Sequence, residues 1–179
     1  MADNTEILYA SSDNLITVEG VQDVIAEEYI LDAAVKLMIC AEAEVLNIDA
    51  DALATNKGGG KVGIPVTGHG LVSGAYIRVN GTENYNAEYT VEDSTEDEIV
   101  VTAAYEAETF TGEEKVYPSL SGIAGITLSY VDPSNGNYRG VLPYTSKLVA
   151  EREYYAIISI VSGDNQVLIV SRWKAHHKT

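Results

Sequence analysis

The sequence predicts an all-β fold, a β-sandwich interrupted by a small β-module. Three observations carry that expectation. Apolar residues recur at alternate positions over short runs, as in AYIRVNG, EYTVE and EIVVTAAY. Turn-forming clusters such as NGT, DPSNGN and GDN separate these runs. Helix signals are few, so many short strands must find a layered or closed β-architecture.

Taken in order, NLITVEGVQDV at 14–24 starts in alternation and reads as a strand. YILDAAVKLMICAEAEV at 29–45 is ambiguous. Its Ala and Leu content suits a helix, whereas Ala33, Val35, Leu37 and Ile39 alternate with a second, also fairly apolar set. A strand is preferred, paired with ITVEGV. NIDADALATNKGGGK at 47–61 breaks the pattern and reads as a loop or flexible join. AYIRVNG follows as a strand, with Asn80-Gly81 suited to a type I′ turn. NAEYTVEDS and DEIVVTAAY complete a module of their own. GITLSYVDP, NYRGVLPY, KLVAEREYYAIISIVSG and NQVLIVSRWKA supply about four more strands, joined by short turns. The expected organisation is an N-terminal arm (1–13), a discontinuous sandwich (14–54 and 117–174), an inserted acidic β-module (55–116) and a C-terminal tail (175–179). Strands 14–45 and 120–174 complete one another, since neither set closes a sheet face alone, and a loop between strands tolerates such an insertion.

Charge narrows the function. Twenty-seven acidic residues face eleven Lys and Arg, for a net charge of −16. Nucleic acid and anionic membranes both require a basic surface, which KAHHK near the C-terminus does not supply. From Glu83 to Glu114 there are eleven acidic residues and no Lys or Arg, which predicts a sheet with one strongly acidic solvated face. The single cysteine, Cys40, excludes an internal disulfide framework. No stretch reaches the length of a membrane span. MADNTEILYASSD lacks the segments of a signal peptide, so a soluble chain used without classical export is expected.

No constellation of residues demands chemistry. His69, between glycines in TGHGLVSG, reads as a structural turn residue, and neighbouring Ser73 makes no triad with it. Cys40 lies in an apolar stretch beside Glu42 and Glu44, the wrong surroundings for a thiolate. His176 and His177 lack further ligands and fall in the expected frayed tail. Asp49, Asp51 and EDSTEDE offer carboxylates without EF-hand spacing. GGGK at 58–61 lacks the rest of a phosphate loop. The expectation is no catalytic residue, no cofactor and no metal. In SNGNYRG, Asn135-Gly136 after Pro133 predicts a tight reversal. Gly140 predicts a close approach or bulge, and Pro143 a strand end. Arg139 is assigned to a cross-strand carboxylate or to covering apolar surface.

Two patterns carry a resemblance. ITVEGVQD, then YILDAAVKL, then GITLSYVDPSNGNYRGVLPYTSKLVAEREYYAIISI, resembles a small immunoglobulin-like β-domain of tailed-phage virion proteins. GHGLVSGAYIRVNGTENYNAEYTVEDSTEDEIVV is similar to a recurrent β-module of phage structural and tail proteins, with Ala87 where that pattern has glycine. The resemblance implies a non-enzymatic virion component. Its expected station is the neck or tail, as a head–tail connector, in a ring or lattice of copies touching other virion proteins. A capsid decoration protein and a carbohydrate-binding adhesin are the alternatives. Tyr85, Tyr89, Tyr105 and Tyr117 in the module, with Arg139 and Trp173, are the candidate interface residues.

Overall fold

The structure, a computed structural model, describes residues 7–23, 27–120, 125–163 and 165–177. In chain order the strands are β1 (Ile7–Ala10), β2 (Asn14–Val18), β3 (Gln22–Asp23), β4 (Glu28–Tyr29) and β5 (Ala34–Ala41). There follow β6 (Leu46–Asn47), β7 (Thr55–Gly58), β8 (Lys61–Pro65), β9 (Tyr76–Asn80) and β10 (Glu88–Thr90). Next come β11 (Asp93–Ser94), β12 (Glu98–Thr102) and β13 (Lys115–Pro118), and finally β14 (Ile126–Tyr130), β15 (Tyr138–Leu142), β16 (Glu153–Ser162) and β17 (Asn165–His177). Short 3-10 turns at Glu42–Glu44 and Tyr144–Ser146 are the helical elements among the described residues. The fold is all-β. It divides into two compact units, Met1–Glu42 with Ile123–Thr179, and Ala43–Gly122.

The first unit holds a two-stranded pair, β3-β4, and a seven-stranded sheet in the order β1-β17-β16-β5-β14-β15-β2. The two edge strands of the larger sheet are consecutive in the chain, so the sheet curls until it is nearly closed into a barrel. The Asn14 side chain bridges the ends. Its Oδ1 accepts the Tyr9 N–H at 2.6 Å and its Nδ2 donates to the Tyr9 carbonyl at 3.0 Å, imitating one rung of a ladder. All neighbouring strands are antiparallel except β1 and β17. β14 changes partners along its length: Ile126–Leu128 pair with β5, whereas Ser129 and Tyr130 pair with β15.

β5 is a strand, and its doubly apolar pattern has a reason: it is central, and Leu37 through Ala41 are buried on both faces. Its partners are β16 and β14, while ITVEGV pairs with β15. The expected pairing of these two segments therefore does not form. Val35, Leu37 and Ile39 lie opposite Ile160, Ile158 and Ala156. Burial of such side chains contributes about 1.5–3 kcal/mol each. The chain before Asn14 is also no free arm over its described part, because Ile7–Ala10 form β1, pinned to β17; residues 1–6 of that expected arm lie outside the described residues. Nor does a frayed tail begin at 175, since β17 runs through His177, opposite Ala10.

The second unit holds two four-stranded sheets, β10-β9-β13-β6 and β11-β12-β8-β7. Residues 43–54 belong with it, because Leu46 and Asn47 pair with β13 and Ala54 joins the core. That core comprises Ile48, Val62, Ile64, Ile77, Val79, Tyr85, Ile99, Val101, Phe110 and Val116, among others. The segment 47–61, expected as a loop or flexible join, instead contains β7, and its glycines form the tip of the β7–β8 hairpin, where Gly58, Gly59 and Gly60 all take positive φ. The expected type I′ turn at Asn80-Gly81 is absent. Asn80 is not among the positive-φ residues, and the chain travels through 81–87 before β10 begins.

Candidate functional site

Several polar side chains that fold inward shape loops. In the second unit Glu108 is buried and its carboxylate accepts the backbone N–H groups of Glu83 at 2.7 Å and Asn84 at 2.9 Å. This long-range tie holds the 81–87 loop open. Glu114, also buried, accepts from Thr111 N–H at 3.0 Å, Thr111 Oγ1 at 2.9 Å and Gly112 N–H at 2.9 Å. Burial pushes its pKa up, but these hydrogen bonds outweigh it and hold the carboxyl below its ordinary value. Asp49 accepts the Thr67 hydroxyl at 2.8 Å. Among the described residues no group of three or more His, Cys, Asp or Glu is arranged to hold a metal ion.

A second cluster lies on β9 and its neighbours. Arg78 is buried, opposite Glu88 on β10 and Tyr117 on β13. Burial lowers its pKa, partly offset by Glu88. Among the described residues no hydrogen-bond partner meets its Nε. The Tyr76 hydroxyl donates to Glu88, and burial together with that carboxylate raises the phenol pKa strongly. Glu88 thus serves two partners, a phenol by hydrogen bond and a guanidinium by charge.

In the first unit tyrosine hydroxyls hold the loops. Tyr138 donates to the Ile30 carbonyl at 2.9 Å and accepts the Ala33 N–H at 2.9 Å. Tyr154, near the start of β16, accepts the Val149 N–H at 2.8 Å. Tyr130 spans its own turn to Ser134, donating at 2.7 Å and accepting at 3.2 Å.

The SNGNYRG segment is a structural corner. The chain needs residues 131–137 to reverse, more than a tight two-residue turn. The Gly136 carbonyl accepts the Val21 N–H at 2.9 Å, and the Asn137 side chain accepts the Gly20 N–H at 3.1 Å. Gly136 has φ of 67°, and a Cβ there would collide with the Val21 carbonyl oxygen. Gly140 provides the close approach its sequence context predicts: an added Cβ would sit 2.5 Å from Leu128 Cδ2. Arg139 Nε reaches the Thr17 hydroxyl at 3.4 Å, across the β15–β2 pair, and not a carboxylate.

Of the candidate interface residues, Tyr85, Tyr117 and Trp173 are buried within the chain. Tyr85 tilts against Phe110 in the core of the second unit, and its hydroxyl accepts the Glu106 N–H at 2.9 Å. Trp173 lies opposite Tyr154. Tyr89 is half-buried against the same core as Tyr85. Tyr105 and Arg139 are exposed. His69 is buried, and its Nδ1 accepts the Leu71 N–H at 2.8 Å, the structural turn role. Cys40 is buried. His176 Nδ1 lies 3.2 Å from Glu151.

Two surface features of the first unit were not singled out from sequence. One is an open groove of about 690 Å³ lined by Leu8, Tyr9, Asp13, Asn14, Ile16 and Glu19, among others, where the barrel fails to close. The other is the outer edge of β17. Among the described residues, β1 covers it from Lys174 to His177. Upstream, Val167 is 53% exposed and Ile169 and Val170 are each 38% exposed. Leu15, Val141 and Tyr144 add further exposed apolar side chains. The signal for the β17 edge was the run VLIV itself, too apolar for a solvated hairpin and preceded by a turn. No protein-family model, curated protein or solved structure matches the chain.

Proposed function

We propose that the chain is a non-enzymatic structural component of a tailed-phage virion, at the neck or tail, making protein–protein contacts in a symmetric assembly. The observation that carries the contact role is the apolar edge of β17 upstream of Lys174, which no strand covers among the described residues. A long exposed hydrophobic edge strand is a liability that natural proteins blunt, unless a neighbour uses it. The phage setting rests on the sequence resemblance described above.

The fold half of that resemblance gains support from connectivity. β1, β2, β5, β14, β15, β16 and β17 read as the seven strands of an immunoglobulin-like sandwich. One layer is β1-β17-β16-β5 with the start of β14; the other is the end of β14 with β15 and β2. A hydroxyl from a tyrosine at the start of the sixth strand, bonded to backbone a few residues upstream, is a feature of such domains, and Tyr154 with Val149 has that geometry. The inserted unit enters between the third and fourth strands. The chain departs from antibody domains in having one cysteine and in carrying its tryptophan on the last strand.

Cryo-electron microscopy of the intact particle tests the assignment. A ring of density at the head–tail junction that fits both units is the expected result. Density over the capsid lattice would instead make it a decoration protein, and absence from every particle would refute the virion role. The adhesin reading keeps one observation in its favour, the groove beside exposed Tyr9, whose lining is mostly polar. A glycan array showing binding that Tyr9→Ala abolishes would favour it.

A further inference from the structure

We infer that the outer edge of β17 pairs with the same edge of a second copy of this chain, antiparallel, about a twofold axis at Ile169. The inference rests on the assembly reading and specifies one of its contacts.

The edge has the right hydrogen-bonding groups. Ala175 directs both backbone groups toward the β16 side, its N–H to Arg152 at 3.0 Å and its carbonyl to the N–H of Glu151. The β16–β17 register is unbroken from Glu153↔Lys174 to Ser162↔Asn165. Backbone direction alternates along a strand. The odd-numbered residues of β17 therefore serve β16, and Gln166, Leu168, Val170 and Arg172 present their N–H and C=O groups to the opposite edge. Among the described residues no backbone partner meets them there, because β1 begins only opposite Lys174.

The sequence of this edge is self-complementary. A twofold axis perpendicular to a sheet brings together residues of equal parity, since it leaves each side chain on its own face. Centred on Ile169, the axis sets Leu168 against Val170, Val167 against Ser171 and Gln166 against Arg172, each twice. Apolar residues meet at the middle and polar ones toward the ends. Arg172 is the only charged side chain from Asn165 to Trp173, and it meets a neutral amide, so no like charges face each other in a chain of net charge −16. All four outward residues then exchange both backbone groups with the partner copy. A centre on Leu168 fits less well, because it sets Gln166 against Val170 and leaves Arg172 beyond the paired stretch. The same edge already accepts a strand further along, where β1 pairs with Lys174–His177.

The test uses the full chain. Sedimentation velocity over a range of concentrations is expected to show a monomer–dimer equilibrium that Val170→Pro weakens by roughly tenfold or more. Proline removes an N–H that makes no bond within the described chain, so the fold, checked by Trp173 fluorescence, should survive. Ile169→Cys is expected to give a covalent dimer under mild oxidation, since residues facing across a twofold in a non-hydrogen-bonded pair lie close enough for a disulfide; Val161→Cys on β16 is the control that should not. A chain that stays monomeric, and whose Ile169→Cys variant gives no crosslink, overturns the proposal. So does slow amide exchange at Leu168 and Val170 in a monomer, which would mean that the residues preceding Ile7 of the same chain occupy the edge. Either result leaves the virion role standing if the particle contains the protein, whereas a dimer in solution with no particle density overturns the role and keeps the contact.

Discussion

The two units solve one problem with different chemistry. Each must hold irregular loops whose backbone groups find no partner in a ladder. The first unit uses phenol hydroxyls: Tyr138 ties down Ile30 and Ala33, Tyr154 ties Val149, and Tyr130 ties Ser134. The second uses buried carboxylates, Glu108 on the 83–84 backbone and Glu114 on the 111–112 backbone, and adds Tyr85. A phenol donates and accepts, so it satisfies an N–H and a carbonyl together without carrying charge. A carboxylate only accepts, more strongly, and needs several N–H groups to offset its desolvation. An acidic chain thus draws part of its negative charge inside as loop ties. Acid should therefore act on the second unit through its buried carboxylate Glu114, whereas alkali acts on phenols raised by burial in both units, Tyr138 in the first and Tyr76 and Tyr85 in the second.

The largest expected effect lies where the first unit is tied by backbone and not by side chain. Gly136→Ala requires a side chain at φ of 67° and in the space of the Val21 carbonyl. A left-handed conformation costs about 1–2 kcal/mol and overpacking about 1–3 more, so a loss of about 3 kcal/mol is expected. Denaturant unfolding followed by Trp173 fluorescence reads it, because the sole tryptophan is buried in that unit. A loss under about 1 kcal/mol would mean that the corner is looser than a backbone tie.

Tyr154→Phe comes next. It leaves the Val149 N–H without its partner at nearly constant volume, and a cost of about 1–3 kcal/mol is expected by the same readout. Alkali probes the ties of the first unit through Tyr138, whose phenol is raised by burial against a hydrogen bond from Ala33. A raised phenol pKa contributes stability that is complete below the unfolded value of about 10 and is lost as pH rises beyond it. The Tyr138→Phe variant should therefore lose less stability than the parent chain between neutral pH and strong alkali.

Glu114→Gln probes the other side. About 1–2 kcal/mol should be lost from the second unit at neutral pH, since an amide accepts fewer and weaker bonds from Thr111 and Gly112. The carboxyl is held below its ordinary value, so its contribution is present above the unfolded pKa, about 4.3, and fades as pH falls through the folded one. Amide exchange at core residues such as Ile64 and Val79 reports this unit. Parent and variant should converge in acid; a difference that persists at about pH 2 would break the comparison.

Much of this architecture is legible in the sequence, and the illegible part has physical causes. Alternation locates β9 and β12, a nearly continuous apolar run locates β16, and the apolar character of both faces of β5 reflects its central place. Pairing is harder, because β5 finds β14 only after the entire second unit has intervened. The acidic run from Glu83 to Glu114 suggests one solvated face, yet Glu108 and Glu114 are buried. Thr111 and Glu114 carried a local hint, a Thr followed three residues later by Glu, the spacing of a reciprocal cap. Glu108 carried none, since its partners lie 24 and 25 residues away. Asn80-Gly81 illustrates the cost of missing it: the dipeptide favours a tight turn, but a distant carboxylate holds the loop open. Tyr85 and Trp173 resemble interface aromatics by type, and only packing places them in cores.

The smallest effect belongs to the residue that first draws the eye. Arg139 follows a conspicuous turn, in a chain with few cations, and invites a binding role. It is exposed, and its side chain makes a long hydrogen bond to Thr17. Exposed polar contacts of this kind are worth little once solvent competes for them. Arg139→Ala should change stability by less than about 0.5 kcal/mol, in contrast to its neighbour three residues earlier. If the variant instead destabilises the first unit as Gly136→Ala does, the β15–β2 pair is held by side chains and not by its backbone ladder, and the account of how this unit secures its corners fails. If stability is unchanged but incorporation into particles is lost, Arg139 is a contact residue of the assembly, and the corner presents it without depending on it.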